Sequence, residues 1–352
     1  MAQQVDGHSG GPLAPLSRLL TYTVLGLWSL VCIVPIYWAL IASIKPPIEF
    51  VGSPHYLPFV DFQPSLHAWR NIVVDSNDNT LLRFVNSLAV GVISTTLTVL
   101  VGVAAAYSLT RFKLSVPYGR AGILLGATVT AGAAILGGMS TYWIAPVWML
   151  VCLPVILSGK GKGKGRGSGR HGPQGGIGSE ALFAIIIATR ILPPLVTVMP
   201  LYYLFQKIGL YDTRAALTLA YTAANLPIAV WLLRGFIADI SPDMEEAAQL
   251  DGASRLRIFL TIALPLCKPA IAATSAVVFL FCWNEYLVSV YLTADHAMTV
   301  PPFLASQMTS REQMAAAEPD DYARLAVVVI LMLAPLLALT PVFQRVLGRV
   351  GR

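Results

Sequence analysis

The chain has 352 residues, of which 56% are hydrophobic and 12% charged, whereas a soluble domain carries about a quarter charged residues. That deficit excludes an ordinary soluble core and points to a membrane. The net charge of +6 does not indicate nucleic acid, because Lys and Arg sit beside apolar runs rather than on one basic face. Cys32, Cys152, Cys267 and Cys282 lie in or beside apolar stretches without CxxC spacing, so they read as packing residues, not as a disulfide framework or a zinc site. The histidines His8, His55, His67, His171 and His296 are scattered singly, and no metal or other cofactor is predicted.

A membrane helix needs about 20 mostly apolar residues. Leu19 to Ser43 meets that requirement and reads as an anchor, since no A-x-A cleavage site follows it. Lys45 to Arg83 is polar and rich in Pro and Asn, which predicts a small extramembrane segment, and Phe84 to Thr110 is the second span. No residue between Arg120 and Lys160 is charged. As one helix, at about 1.5 Å per residue, this run would far exceed a bilayer core of about 30 Å. It is therefore read as a hairpin, Ala121 to about Met139 and Tyr142 to about Leu157, turning near Gly137, Gly138 and Ser140.

Gly159 to Ile177 opens by alternating Gly with Lys or Arg and predicts a solvated loop. It is not a phosphate-binding loop, because every Lys in it precedes Gly where that motif requires Ser or Thr. A basic loop held near anionic lipid is the expectation. Ala181 to Phe205, Ala215 to Leu233, Ala270 to Thr293 and Leu325 to Phe343 complete eight candidate spans. With the N-terminus inside, sixteen Lys and Arg fall on the cytoplasmic face against seven outside, leaving Arg190 within a span. This is the positive-inside asymmetry for two cytoplasmic termini. A single span between Arg120 and Lys160 would invert it, so the count favours the hairpin.

The loop between the sixth and seventh spans runs from Ser241 to Ala270 (SPDMEEAAQLDGASRLRIFLTIALPLCKPA). Ser241 suits an N-cap, Pro242 the first helical position, and Asp243, Glu245 and Glu246 place negative charge at the positive end of the helix dipole. A helix to about Leu250 follows. Gly252 is placed to end it in the left-handed conformation, and Ser254 to cap a second helix, Arg255 to about Ala263, which Pro265 should break. The product is a helical corner on the membrane surface. By helix logic alone it could equally be an interfacial helix lying in the headgroups.

The spacing of Glu246-Ala247-Ala248, Asp251-Gly252-Ala253, Phe259, Ile262, Leu264-Pro265 and Pro269 resembles the EAA motif of ABC importer permeases. The resemblance extends to Asn86-Ser87, Ala105-Ala106-Tyr107 with Arg111-Phe112, Pro200-Leu201-Tyr202, Gly209-Leu210, Leu226-Pro227, Trp231 to Phe236 and Trp283-Asn284-Glu285-Tyr286. These look like the carbohydrate-uptake, maltose-transporter-type branch. The resemblance implies an all-α, polytopic transmembrane bundle of six core spans, to which this chain adds a two-span hairpin. It divides the chain into a cytoplasmic tail (1–18), two spans with an external loop (19–114), the inserted hairpin and basic loop (115–179) and the remaining core (180–352), with the coupling loop at 241–269.

It further implies a permease subunit of the bacterial inner membrane that moves a sugar or related polyol. Its partners would be a second permease subunit, two copies of an ABC ATPase subunit, an extracytoplasmic substrate-binding protein and membrane lipid, with no nucleic acid. The chain has no Walker motif, so ATP hydrolysis is expected in the partner, and no catalytic residue is assigned. Glu245, Glu246, Ala247, Ala248, Asp251, Gly252 and Ala253 are the candidate ATPase-coupling residues. Arg190, Asn284 and Glu285 are candidates for the translocation pathway, because charge in mid-membrane costs about 2.5–3.5 kcal/mol on insertion scales and calls for partners. Arg190 and Glu285 could pair with each other, or each could serve a structural hydrogen-bonding network. The acidic loop from Ala294 to Asp321 is a candidate contact for the binding protein. The competing readings are a secondary transporter driven by an ion gradient, with Arg190 and Glu285 as its relay, and a membrane scaffold that transports nothing.

Overall fold

The computed structural model describes residues 14–50, 55–74, 79–112, 115–117, 123, 176–191, 193–308 and 319–350. In chain order its helices are α1 (Ala14–Ile44), α2 (His67–Val73), α3 (Thr80–Arg111), α4 (Ser179–Ala188), α5 (Pro194–Lys207), α6 (Arg214–Ala238), α7 (Pro242–Leu250), α8 (Arg255–Leu266), α9 (Lys268–Trp283), α10 (Leu287–Leu292), α11 (Val300–Met308) and α12 (Pro319–Val350). Long uncharged runs wind this way because a backbone in hydrocarbon must pair its own N–H and C=O groups.

Among the described residues, α1, α3, α6 and α12 are each long and apolar enough to cross a membrane, and the bent pairs α4–α5 and α8–α9 bring the number to six. Five of them coincide with expected core spans, whereas the α8–α9 pair shares only α9 with the expected span Ala270 to Thr293 and includes α8 of the expected coupling loop. The expected hairpin at 121–157 lies outside the described residues, apart from Ile123.

Two expected spans are broken. Ala181 to Phe205 is α4, a 3-10 turn (Thr189–Ile191) and α5, bent by 88°. Pro193 and Pro194 account for the break, since proline lacks the N–H donor and disfavours helix in the residue before it. Ala270 to Thr293 is α9 as far as Trp283 and α10 from Leu287, with Asn284, Glu285 and Tyr286 between them.

The described residues fall into two compact units. The first takes in α1, α2 and most of α12. Helix α1 is apolar on all sides and most of its side chains are open, Trp28 at 69% and Leu27 at 62% exposure among them, as expected of a helix in lipid. Its end is fastened to the polar segment that follows. Ser65 N–H donates to Ile44 O at 2.8 Å, Trp69 Nε1 to Ser43 Oγ at 3.3 Å and Lys45 Nζ to His55 O at 3.1 Å. Asp61 accepts the N–H groups of Tyr56 and Leu57, both at 2.9 Å, which hold its carboxyl below the usual carboxylate range. Asn71 of α2 donates to Asp320 at the start of α12 at 3.3 Å.

The second unit is built around α6, which packs against α4, α9 and α10. One cluster joins Val90, Phe205, Leu217, Tyr221, Val278, Cys282 and Leu292; another joins Val103, Tyr107, Leu233, Ile237, Ala263 and Cys267. Gly102 lets α3 approach α6 closely, since a Cβ there would lie 3.1 Å from the Ala229 Cβ. Strands β1 (Ser115–Pro117) and β2 (Gly176–Gly178) pair antiparallel, with Pro117 opposite Gly176. They bring together the two ends of the stretch 118–175.

Candidate functional site

The helical corner forms from the local signals in its sequence. Ser241 Oγ accepts the Asp243 N–H at 3.3 Å, and Pro242 occupies the first turn of α7. At the other end Gly252 has φ +81°, and the N–H groups of Gly252 and Ala253 reach back to Gln249 O and Ala248 O, both at 3.0 Å. Ser254 Oγ then accepts the Arg257 N–H at 3.3 Å and starts α8. The expectation that Pro265 breaks this second helix is corrected. Residues Phe259–Ala263 widen into a π-turn, Leu264 N–H bonds Phe259 O, and the ladder resumes with Cys267 N–H on Ala263 O at 3.0 Å. The wide turn accommodates the proline ring, and the break falls at Cys267, where the chain bends 73° into α9.

Glu245 does not lie on the open surface of this corner. It is 5% exposed; its Oε2 accepts the Tyr107 hydroxyl at 2.8 Å and its Oε1 the Arg111 Nε at 2.7 Å. Arg111 Nη2 also donates to Ile237 O at 3.1 Å and Ile240 O at 2.6 Å, so one guanidinium joins the end of α3, the last turn of α6 with the link that follows it, and the underside of α7. A cation suits the negative end of α6. Rings close over the pair: Tyr107 lies 4.9 Å from Phe259 and 5.9 Å from Phe112, and Arg255 stands 4.9 Å over Phe112. Of the other coupling candidates, Glu246, Ala247, Asp251 and Gly252 are exposed, and Ala248 and Ala253 half-buried. Beside them Met244, Leu250 and Leu256 stand open at 50%, 90% and 67%.

Two of the pathway candidates, Arg190 and Glu285, meet one stretch of α6. Arg190 Nη1 donates to Ala224 O at 3.2 Å, and its Cζ lies 5.6 Å from the Phe281 ring. One turn away the Tyr221 hydroxyl donates to Glu285 O at 3.4 Å. Arg190 and Glu285 each have their own partners, because Glu285 Oε1 accepts the Val288 N–H at 3.1 Å and caps α10. Asn284 Nδ2 donates to Leu280 O at 2.9 Å and is exposed. Two broken helices therefore meet α6 close to Pro227, where its own carbonyl ladder is interrupted.

At the far end of α6, the loop after α10 is tied down. Asp212 accepts the N–H groups of Ala294, Asp295, His296 and Ala297 at 3.0–3.2 Å. Asn86, fully buried, donates to His296 O and Met298 O and accepts Arg214 Nε at 2.7 Å, while Ser87 Oγ accepts the Val300 N–H at 2.8 Å. The first residues of the expected binding-protein loop are thus fixed in place.

Residues 172–350 match the family of the binding-protein-dependent transport system inner membrane component. The chain belongs to this family. The permease is 26% identical over 327 residues to the diacetylchitobiose uptake system permease protein NgcG of Streptomyces coelicolor, covering 93% of this chain and 84% of that protein. It is 25% identical over 291 residues to the trehalose/maltose transport system permease protein MalG of Thermococcus litoralis, covering 82% and 81%. Its fold resembles that of a chain from a bacterial ABC transporter involved in the import of the acidic polysaccharide alginate, with a TM-score of 0.65 at 18% identity over 96% of this chain and 99% of that one. The permease is thus a multi-pass inner-membrane subunit of an ABC importer, and the reading as an ion-gradient transporter falls.

The family match begins after Tyr107 and Arg111, and sequence reading did not join them to Glu245 either. The available signal was an Arg closing an apolar span and one more carboxylate than the EAA motif requires, since a buried carboxylate calls for a cation. Asp212 carried no comparable signal.

Proposed function

We propose that this permease carries a sugar or related polyol into the cell, with both termini cytoplasmic and the α7–α8 corner seated on an ATPase subunit. A second permease chain completes the pathway, two ATPase copies lie below it, and an extracytoplasmic binding protein delivers substrate from above. The observation that carries this reading is the corner itself: a helix capped at both ends, anchored beneath by Glu245 and open on the side bearing Ala247, Leu250, Asp251 and Gly252. The sugar class rests on the chitobiose and trehalose/maltose permeases to which the chain is similar. Arg190, Asn284 and Glu285 border the substrate path, a role supported by their position at two broken helices, where transporters expose polar backbone to a bound solute.

Gly252→Val tests the docking surface. Space at Gly252 is free, but its φ of +81° is closed to a β-branched residue, at a cost of about 1–3 kcal/mol. The expected result is loss of uptake and of ATPase co-purification. Normal uptake by a normally assembled complex would overturn the reading.

A further inference from the structure

The contacts beneath α7 do more than hold a helix in place. Glu245 is the one carboxylate of the corner that is buried, and it faces inward while its neighbour Glu246 faces out. Its two oxygens take different donors, Tyr107 and Arg111, both from the last turns of α3. Arg111 uses its remaining reach on Ile237 O in the last turn of α6 and Ile240 O in the link to α7. The Arg111 and Glu245 side chains are only 12% and 7% exposed, so water screens the pair far less than it would on the open surface. Phe112 and Phe259 flank Tyr107, and Phe259 belongs to the π-turn of α8. The helices so joined differ in kind: α3 and α6 are spans, whereas α7 has nine residues and lies outside them. Any displacement of α7 must therefore either break a buried ion pair or move two spans with it. Separating the pair would leave Arg111 without its counter-ion, so movement together is favoured.

We propose that Arg111, with Glu245 and Tyr107, is the relay that makes α7 move as one body with α3 and α6. All three are positioning residues: they touch neither substrate nor nucleotide, and they convert a push on the corner into motion of the spans. The proposal rests on the reading that an ATPase docks on the corner, and it adds the route by which that docking reaches the membrane. Substitution at the relay should leave the open side of α7 intact, so the ATPase still binds, while the corner moves without the spans.

The test uses the permease assembled with its cognate ATPase, with the native cysteines replaced and spin labels placed at Gln249→Cys on α7 and Leu100→Cys on α3, both exposed positions. The label separation is measured without nucleotide and with ATP and vanadate. In the otherwise unchanged permease it should be the same in both states. In Arg111→Gln the ATPase should still co-purify, and the separation should shift outward and broaden on adding ATP and vanadate. Should Arg111→Gln fail to assemble, Glu245→Gln carries the same reading, because the amide keeps the size and can accept from Tyr107 while losing the charge. A separation unchanged by nucleotide in an assembled relay variant would overturn the relay and leave the docking surface standing. So would a nucleotide-dependent separation in the unsubstituted permease. Failure of the unsubstituted permease to retain the ATPase would overturn the docking surface, and the relay with it.

Discussion

Asp212 lies 85 residues before Ala297 yet accepts its backbone N–H at 3.0 Å, and the same carboxylate holds the three amides preceding it. Burial pushes the Asp212 carboxyl up, but the four N–H donors together outweigh it and leave the group below the usual carboxylate range. A carboxyl lowered by folding stabilises the fold above its unfolded value of about 3.9, and that contribution disappears as pH falls from there through the folded value. Amide exchange of residues 294–297, taken relative to the intrinsic rate at each pH, should therefore stay slow at neutral pH and accelerate below about pH 4. Asp212→Asn should accelerate it already at pH 7, by the equivalent of about 1–3 kcal/mol for the lost charged acceptor.

Glu285 has two separable roles. Its carboxylate caps α10 through the Val288 N–H, which an amide can also do, whereas only the carboxylate supplies charge. Glu285→Gln should preserve assembly and thermal stability but impair uptake, and Glu285→Ala should in addition destabilise by about 1 kcal/mol through the lost cap. If the Gln variant transports normally, Glu285 is a capping residue and nothing more.

Packing of α3 on α6 turns on Gly102. A Cβ there sits 3.1 Å from Ala229 Cβ, so Gly102→Leu overfills the contact and should cost about 1–3 kcal/mol. Melting of the detergent-solubilised permease would report this, with Gly102→Ala falling between Leu and the native glycine.

Residues 118–175 should be removable. Pro117 and Gly176 are paired across β1 and β2, so residues 118–175 can be replaced by Asn-Gly, the two-residue turn that suits a hairpin. The shortened permease should insert into the membrane, assemble with its ATPase and take up substrate. Loss of insertion would assign the 115–179 stretch to the core.

What the sequence revealed and what it hid divide along physical lines. The two ends of α7 were legible because capping by Ser241, the first-turn Pro242 and the left-handed Gly252 are decided within a few residues. Five of the core spans were legible because hydrocarbon selects for long apolar runs. The 88° break at Pro193-Pro194 was lost inside an apolar stretch even though the prolines were in plain view, since hydropathy averages over a window that a kink does not change. Continuation through Pro265 depended on a π-turn, which has no composition of its own. The Tyr107–Arg111–Glu245 contacts span 138 and 134 residues, and no local pattern specifies which carboxylate of an acidic helix will turn inward.

The capped and anchored state of α7 has a consequence for assembly. A segment that orders only when its partner arrives gives up part of the interaction energy to fix its backbone and side chains, about 0.5–1.5 kcal/mol for each immobilised side chain. With Ser241, Gly252 and Glu245 already holding the helix, an ATPase docking as proposed above would meet a preformed helix, and little of the contact energy at Leu250 and its neighbours would be consumed in ordering it. Recognition can then be tight across a helix of only nine residues.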